Sequence, residues 1–167
     1  SADWDIAQTV QGPRRVVASP LPLRILEIEV IRHLVELRAV VFCGGGGGIP
    51  TAKVGAHQQG VPAVVDKDRF SSLLAKDLNA DALIISTAAD AIYRSFGTPE
   101  AEAIRTLSTA EAAVMEANGE FPKGSMSPKV GALCDFVAAT EVGRGILCTP
   151  GQVLEPSRGQ AGTTPTR

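Results

Sequence analysis

Five consecutive glycines, residues 44–48, directly follow the apolar segment Ala-Val-Val-Phe-Cys at residues 39–43. Glycine loses more backbone entropy on folding than any other residue, so an ordered run of five needs a compensating interaction. Two structures fit such a run. One is a turn after a buried strand whose backbone N–H groups contact a ligand, and the other is a flexible connector.

Composition places the chain among ordinary globular proteins. Its 167 residues are 44% hydrophobic and 20% charged, which is enough apolar material for a core and argues against general disorder. The net charge of −2 offers no basic stripe for nucleic acid, and no apolar run is long enough to span a membrane. Cys43, Cys134 and Cys148 form no CxxC pair, and His33 and His57 are the only histidines. We therefore expect a reduced, cytoplasmic protein without a disulfide framework, a zinc site or a histidine triad.

Hydrophobic periodicity predicts helices that alternate with short strands. Helical spacing predicts helices within residues 23–38, 69–78, 108–118 and 127–140. In the first helix the recurring apolar residues are Ile28, Ile31, Leu34 and Val35. In the second, one side carries Phe70, Leu73, Leu74 and Leu78. Short apolar runs predict strands at 14–17, 39–42, 61–65, 82–86 and 145–149. This alternation is typical of an α/β domain with a mainly parallel sheet.

Two of the predicted helices begin with recognisable capping residues. Ser108 is followed three residues later by Glu111, which is the pattern of a capping box. Ser127 precedes Pro128, so Ser127 is predicted as the N-cap and Pro128 as the first helical residue.

Lysines at two predicted helix starts are candidates for phosphate binding. Lys67 lies between Asp66 and Asp68 where the strand at 61–65 meets the next helix, and the free N–H groups of a helix start favour an anion. Lys129 falls in the first turn of its helix, where the helix dipole disfavours a cation unless an anion compensates. Both lysines also fit ordinary surface positions, with an aspartate acting only as N-cap in the first case.

Six segments follow one another along the chain: RRVVASPLP, CGGGGGIP, VPAVVDKDRFSSLLA, TAADAIYRSFGTPE, GEFPKGSMSPKVGAL and GQAGTT. In this order the sequence resembles carbamate kinase, a family of the amino acid kinase superfamily, over essentially its whole length. The resemblance implies a three-layer αβα sandwich with a mainly parallel sheet. It also implies a homodimer that catalyses the reversible reaction ATP + carbamate ⇌ ADP + carbamoyl phosphate, with Mg²⁺ beside the nucleotide.

The resemblance implies a role for each candidate site residue. Lys67 would contact the nucleotide phosphates, Asp68 would organise the catalytic lysines, and Lys129 would neutralise charge on the transferring phosphoryl group. The backbone lining the phosphate and carbamate site would come from Gly45, Gly46, Gly47 and Gly48. The adenine and ribose would be walled by the segment from Thr87 to Tyr93, which includes Asp90, and by Gly124, Ser125 and Met126. No residue is assigned as a metal ligand. These residue types suit phosphoryl transfer, which depends on positioning and charge neutralisation.

The resemblance further implies a chain that lacks part of such a kinase. Carbamate kinases carry a first strand, a second Gly-rich loop of the GGNAL kind and a further lysine in a protruding subdomain, and this sequence has none of them. We therefore expect roughly the C-terminal half of the enzyme, with the N-terminal half as a partner. Residues 1–22 would be the remnant of a preceding subdomain and a connector, and residues 23–167 the nucleotide-binding α/β domain. Ala88 stands where the family often has a second acid.

Two functions of different classes fit these features. The first is a carbamate kinase that is competent only together with its missing half. The second is a non-catalytic nucleotide-binding or interaction domain with the same fold. The presence of Lys67, Asp68 and Lys129 together favours the first, because a pure binding module has no evident need for all three.

Overall fold

The computed structural model describes residues 4–9, 12–122, 124–153 and 161–167. Within them the helices are α1 (Ile28–Glu36), α2 (Lys67–Asp77), α3 (Thr109–Ala117) and α4 (Met126–Ala139), with a short 3₁₀ turn at Pro150–Gln152. The strands are β1 (Ile6–Thr9), β2 (Gly12–Arg15), β3 (Thr51–Val54), β4 (His57–Gly60), β5 (Ala82–Ser86), β6 (Ile92–Arg94), β7 (Glu102–Ile104), β8 (Thr106–Ser108), β9 (Arg144–Cys148) and β10 (Thr164–Thr166). None of the described helices is long and apolar enough to cross a bilayer.

Parallel pairing forms the centre of the fold. Strand β5 pairs in parallel with β9, from Ala82 opposite Arg144 to Ser86 opposite Cys148, and the connection between them contains α3 and α4. Strand β8 pairs in parallel with β10. Parallel strands require such long crossovers, so these pairings confirm the predicted α/β class. The remaining pairs, β1–β2, β3–β4 and β6–β7, are antiparallel hairpins that periodicity alone did not indicate.

Helix α4 supplies more of the buried core than any other element. Its buried residues are Val130, Ala132, Leu133, Phe136 and Val137. They pack against β9, β5, α2 and α3, together with Leu107 of β8 and Leu147 of β9, both fully buried. Each large apolar side chain buried in this way contributes about 1.5–3 kcal/mol relative to exposure, so this cluster is the main source of stability.

Thr163 joins three elements behind the core. Its hydroxyl donates to the Ile104 carbonyl at 2.5 Å and accepts from the Ile92 N–H at 2.8 Å. Its backbone exchanges two hydrogen bonds with Leu147 of β9. Because Thr163 is fully buried, removing its hydroxyl would leave the Ile92 N–H and the Ile104 carbonyl without this hydrogen bond in the interior. This residue therefore ties the β6–β7 hairpin to the parallel sheet.

The helix starts agree with prediction at α3 and differ at α4. The capping box of Ser108 and Glu111 is present at α3. Helix α4 begins one residue before the predicted cap, so Ser127 lies inside the helix and its hydroxyl donates to the Glu116 carboxylate at 2.7 Å. Ser125 occupies the N-cap position, but its side chain makes no capping hydrogen bond. Pro128 is the third helical residue, where a missing N–H costs nothing because the first four N–H groups of a helix have no partner within it.

The buried side of α2 is not the side that carries its large apolar residues. Phe70, Leu73, Leu74 and Leu78 are only half-buried, and the buried residues of α2 are Asp68, Ser72 and Ala75. These smaller side chains face α4, the helix with which α2 makes its main contact. Small residues at a helix crossing let the two backbones approach closely, and periodicity does not identify which side another helix will cover.

Three predicted strands do not form as expected. Residues 39–42 pair with no described strand, and Val40 and Phe42 are 83% and 95% exposed rather than buried. Residues 61–65 make one isolated bridge, between Ala63 and Ala18, and residues 14–17 contribute only their first half to β2. A strand is stable only when a neighbour completes its hydrogen bonds, and the described residues supply no such neighbour to 39–42.

The predicted first helix is shorter than expected and lies at the surface. Of its recurring apolar residues, Ile31 is buried, whereas Leu34 and Val35 are exposed. Its link to the rest of the fold includes the Arg32 guanidinium, which donates to the carbonyl of Asp77 at 2.5 Å.

Candidate functional site

A cavity of about 690 Å³ opens at the carboxyl end of β5. It lies between the β5–β6 connection, strand β6, the segment after α3 and the first turn of α4. The predicted site residues that line it are Thr87, Asp90, Tyr93, Gly124, Ser125, Met126 and Lys129. The structure thus brings together two segments of the chain that are more than 30 residues apart. In α/β folds this edge of the sheet is the usual place for a ligand.

One wall of the cavity carries a polar pair. The Tyr93 hydroxyl donates to Asp90 Oδ1 at 2.8 Å, and this hydrogen bond, together with burial, raises the pKa of the tyrosine. Tyr93 therefore stays protonated at neutral pH and holds the Asp90 carboxylate in place. The ring of Phe96 lies 6.0 Å from the Tyr93 ring in a tilted arrangement, which stiffens the same wall.

Lys129 links this cavity to the start of α2. Its ammonium group donates to Asp68 Oδ2 at 2.8 Å, and both side chains are largely buried, with 12% and 8% exposed. The Lys67 ammonium lies 3.5 Å from the same oxygen, with 57% of its side chain exposed. A buried carboxylate requires such partners, because an unpaired charge in the interior costs several kcal/mol.

Two lysines and two aspartates meet at this junction, so its formal charge is balanced. The ammonium groups of Lys67 and Lys129 share the Asp68 carboxylate. The carboxylate of Asp66 instead caps α2 by accepting from the N–H groups of Asp68 and Arg69 at 2.9 and 3.2 Å. An anion bound between the cavity and α2 would meet both ammonium groups and the positive end of the α2 dipole.

The glycine run forms a turn rather than a flexible connector. The N–H groups of Gly47 and Gly48 donate to the Gly44 carbonyl at 2.8 and 2.6 Å. Gly44, Gly45, Gly47 and Gly48 have φ between +47° and +133°, a region that L side chains rarely adopt. The N–H groups of Gly45 and Gly46 have no partner among the described residues, so they are available to a ligand.

The turn abuts the start of α2. A Cβ on Gly47 would lie 1.9 Å from the Val65 carbonyl oxygen and 3.3 Å from the Lys67 nitrogen, and a Cβ on Gly44 would overlap the Phe70 ring. Only glycine permits this approach. A shallow pocket of about 380 Å³ lies between the turn and residues 63–65, lined in part by Gly46 and Gly48. Lys67 and Asp68 therefore lie next to the glycine turn, and Lys129 connects this region to the larger cavity.

The cavity is also lined by Ala88, Ala89, Ala91 and Ile92, which lie inside the segment from Thr87 to Tyr93 named from the sequence. Sequence reasoning missed four further lining residues, Phe96, Glu120, Phe121 and Pro122. Most of these are apolar and would have been read as core or loop residues, so no chemical signal marks them. Phe96 and Phe121 lie inside two of the segments on which the family resemblance rests, and their position there was the one available indication.

No cluster of three or more His, Cys, Asp or Glu side chains that could hold a metal ion is present in residues 4–9, 12–122, 124–153 and 161–167. A cation that arrives with a phosphate ligand does not require such a cluster. Mg²⁺ usually keeps several waters and is bound largely through phosphate oxygens.

Comparison with known proteins identifies the fold. The amino acid kinase family model matches residues 4–143. Carbamate kinase of Halobacterium salinarum is 47% identical over 153 residues, which are 92% of this chain and 50% of the relative. Carbamate kinase of Rhizobium meliloti is 48% identical over 140 residues, which are 82% of this chain and 42% of the relative.

A solved structure agrees with these sequence matches. Carbamate kinase from Giardia lamblia bound to AMP-PNP superimposes with a TM-score of 0.90 at 34% identity, covering 98% of this chain and 52% of that protein. This match confirms the predicted amino acid kinase fold. The chain spans about half the length of the relatives it matches, and the assignment of that half to the C-terminal part is not confirmed by these matches. The chain belongs to the amino acid kinase family, and the relatives that it resembles at 47–48% identity are carbamate kinases.

Proposed function

We propose that this chain is the nucleotide-binding part of a carbamate kinase, which transfers a phosphoryl group reversibly between ATP and carbamate. The observation that carries the proposal is the position of Lys129. It lines the large cavity and at the same time contacts Asp68 at the start of α2, beside Lys67 and the glycine turn. A nucleotide in the cavity would therefore direct its phosphates toward two lysines and two free backbone N–H groups.

Each part of the site has a distinct task in this proposal. The cavity walls, with the Asp90–Tyr93 pair, hold the adenine and ribose. Lys67 contacts phosphates that are present before reaction, and Lys129 neutralises the charge that develops on the transferring phosphoryl group. Asp68 keeps both ammonium groups in place, and the N–H groups of Gly45 and Gly46 hold the oxygens of carbamate or carbamoyl phosphate. Mg²⁺, when bound, would neutralise part of the phosphate charge, and we assign it no protein ligand.

The domain organisation follows from the same placement. Residues 23–167 contain every proposed nucleotide contact, so we propose them as the nucleotide-binding domain. The β1–β2 hairpin precedes them and contributes no lining residue to either cavity, which supports its assignment to a neighbouring subdomain and connector.

The free cysteines, of which Cys134 has a pKa raised by burial to about 11, support a reducing, cytoplasmic location.

A second candidate function is nucleotide binding without catalysis. The observation in its favour is that the chain spans about half of its relatives' length, so the groups that bind the second substrate can lie in the other half. The two functions differ in turnover and not in nucleotide affinity. They are separated by the rate measurements described in the Discussion.

We expect the chain to bind ADP with Mg²⁺ at a single site. Lys67→Ala should weaken binding about tenfold, because a charge-assisted contact to phosphate contributes on the order of 1.5–3 kcal/mol before compensation by neighbouring groups. Lys76→Ala, which removes a lysine from the opposite end of the same helix, is the matched control and should leave affinity unchanged. Isothermal titration calorimetry measures both. Absence of binding heat at millimolar ADP in a folded chain would overturn the proposed nucleotide site.

We also expect the isolated chain to associate, either with itself or with the remaining half of the kinase. Val40 and Phe42 are almost fully exposed, and residues 39–42 are an apolar segment without a strand partner in the described part of the chain. Such segments pair with other chains. Sedimentation velocity should show dimers or larger species, and Phe42→Ser should shift the distribution toward monomer. A monomer at high concentration in the unmodified chain would contradict the homodimer and the missing-partner proposals.

A further inference from the structure

A second ion pair joins α2 to α4 beside the Lys129–Asp68 contact. Arg69 follows Asp68 directly in α2, and its guanidinium Nη1 lies 2.6 Å from Asp135 Oδ2 in α4. The Arg69 side chain is 28% exposed and that of Asp135 is 54% exposed. The Arg69 backbone is itself fixed, since its N–H donates to the Asp66 carboxylate that caps α2.

Gly131 opens the space that this guanidinium occupies. A Cβ at position 131 would lie 2.5 Å from Nη2, 2.9 Å from Cζ and 3.0 Å from Nη1 of Arg69. Glycine within a helix costs about 1 kcal/mol relative to alanine, and Gly131 does not have the positive φ that would explain it. The approach of Arg69 is therefore the physical reason for glycine at this position.

Two separate contacts constrain the helix pair more than one contact does. Core packing already fixes the backbone of α4, and the Arg69–Asp135 pair adds a second polar contact to α2 beside Lys129–Asp68. Asp135 also keeps the Arg69 guanidinium occupied, so that it does not compete with Lys129 for the Asp68 carboxylate. We propose that Arg69, seated on Gly131 and paired with Asp135, is a positioning residue that holds the Lys129 ammonium at Asp68 and at the cavity. The catalytic meaning of this role rests on the proposed function.

The decisive variant is Gly131→Ala. It keeps every charge and favours the helix, but its methyl group would displace the guanidinium. The readout is the ¹⁵N-detected ammonium signal of Lys129 in the nucleotide-free chain, assigned by its loss in Lys129→Gln. We expect hydrogen exchange of this ammonium to become about fivefold faster, the upper range for loss of a partly exposed ion pair. Asp135→Asn should have the same effect, and Glu29→Gln, which removes the exposed ion pair of Arg32 on α1, should have none.

The Lys129 ammonium signal distinguishes a positioning role of Arg69 from simple stabilisation of the fold. If Arg69 only stabilised the fold, Gly131→Ala would leave the Lys129 signal unchanged, and that result in a folded variant would overturn the proposal. Should Gly131→Ala not fold, Asp135→Asn decides alone, since it changes one exposed carboxylate. ADP affinity, measured in parallel, should fall about threefold to fivefold in both variants. If the parent chain bound no ADP while the Lys129 signal responded as expected, the proposed function would fail and the positioning role would stand.

Discussion

Replacing Lys129 by alanine in the full-length protein is expected to lower kcat by about 10²–10³ while changing ADP affinity much less. A lysine directed at the transferring phosphoryl group interacts most strongly where charge shifts, in the transition state, and removal of one such donor typically costs that factor. The buried contact with Asp68 fixes the direction of this side chain. Steady-state rates in the direction of ATP synthesis, together with ADP titration, measure the two effects separately.

Lys67→Ala provides the contrast. Its ammonium is more exposed and lies 3.5 Å from Asp68, so we expect it to contact phosphates in the ground state and to affect both affinity and rate. Lys76→Ala serves again as the control on the same helix. Equal losses of affinity in the Lys129 and Lys67 variants would contradict the division of roles. A full-length protein that is folded and binds ADP but has no turnover would favour the non-catalytic function.

Gly47→Ala is expected to disrupt the glycine turn and to lower the free energy of unfolding by about 2–6 kcal/mol. The estimate combines about 1–3 kcal/mol for a backbone conformation at positive φ with about 1–3 kcal/mol for forced overpacking. The φ of Gly47 is +133°, and its Cβ would lie 1.9 Å from the Val65 carbonyl oxygen, which cannot move without shifting the start of α2. ADP affinity should therefore fall as well, because Lys67 lies only two residues after Val65.

Gly46→Ala is the matched control for this prediction. Gly46 lies in the same run, has no positive φ, and a Cβ there would meet no atom within 4 Å. Urea denaturation monitored by circular dichroism should give the parent midpoint for Gly46→Ala and a clearly lower one for Gly47→Ala. If the two variants behaved alike, the run would be acting as a flexible connector and not as an ordered turn.

Some elements were determined by local sequence. Strand β5 has the predicted bounds, and α3 begins at the capping box of Ser108 and Glu111 as predicted. The lysine-bearing starts of α2 and α4 were also predicted, within one or two residues. These features depend on interactions within a few residues, since a cap satisfies the backbone of its own helix and an apolar run favours extended chain. The family resemblance likewise rests on the order of local motifs.

The site residues were named from the sequence, but their assembly was not. Lys129 and Asp68 are 61 positions apart, and the glycine turn reaches α2 only because Gly47 packs on Val65. The residues at the carboxyl end of β5 meet Gly124–Met126 only through the crossover that carries α3 and α4. Such contacts follow from the parallel pairing of β5 with β9, which no local pattern specifies.

Only the tertiary structure decided which surfaces are buried. In α2 the buried residues are Asp68, Ser72 and Ala75, whereas the leucines are only half-buried. The main contact of α2 is with α4, and close packing of two helices favours small residues. The apolar segment at residues 39–42, predicted as a buried strand, is exposed because no described strand pairs with it. Hydrophobic periodicity shows that a segment can be buried against another element. Whether such an element is present, and on which side it packs, depends on contacts between residues distant in sequence, which form only when the whole chain packs.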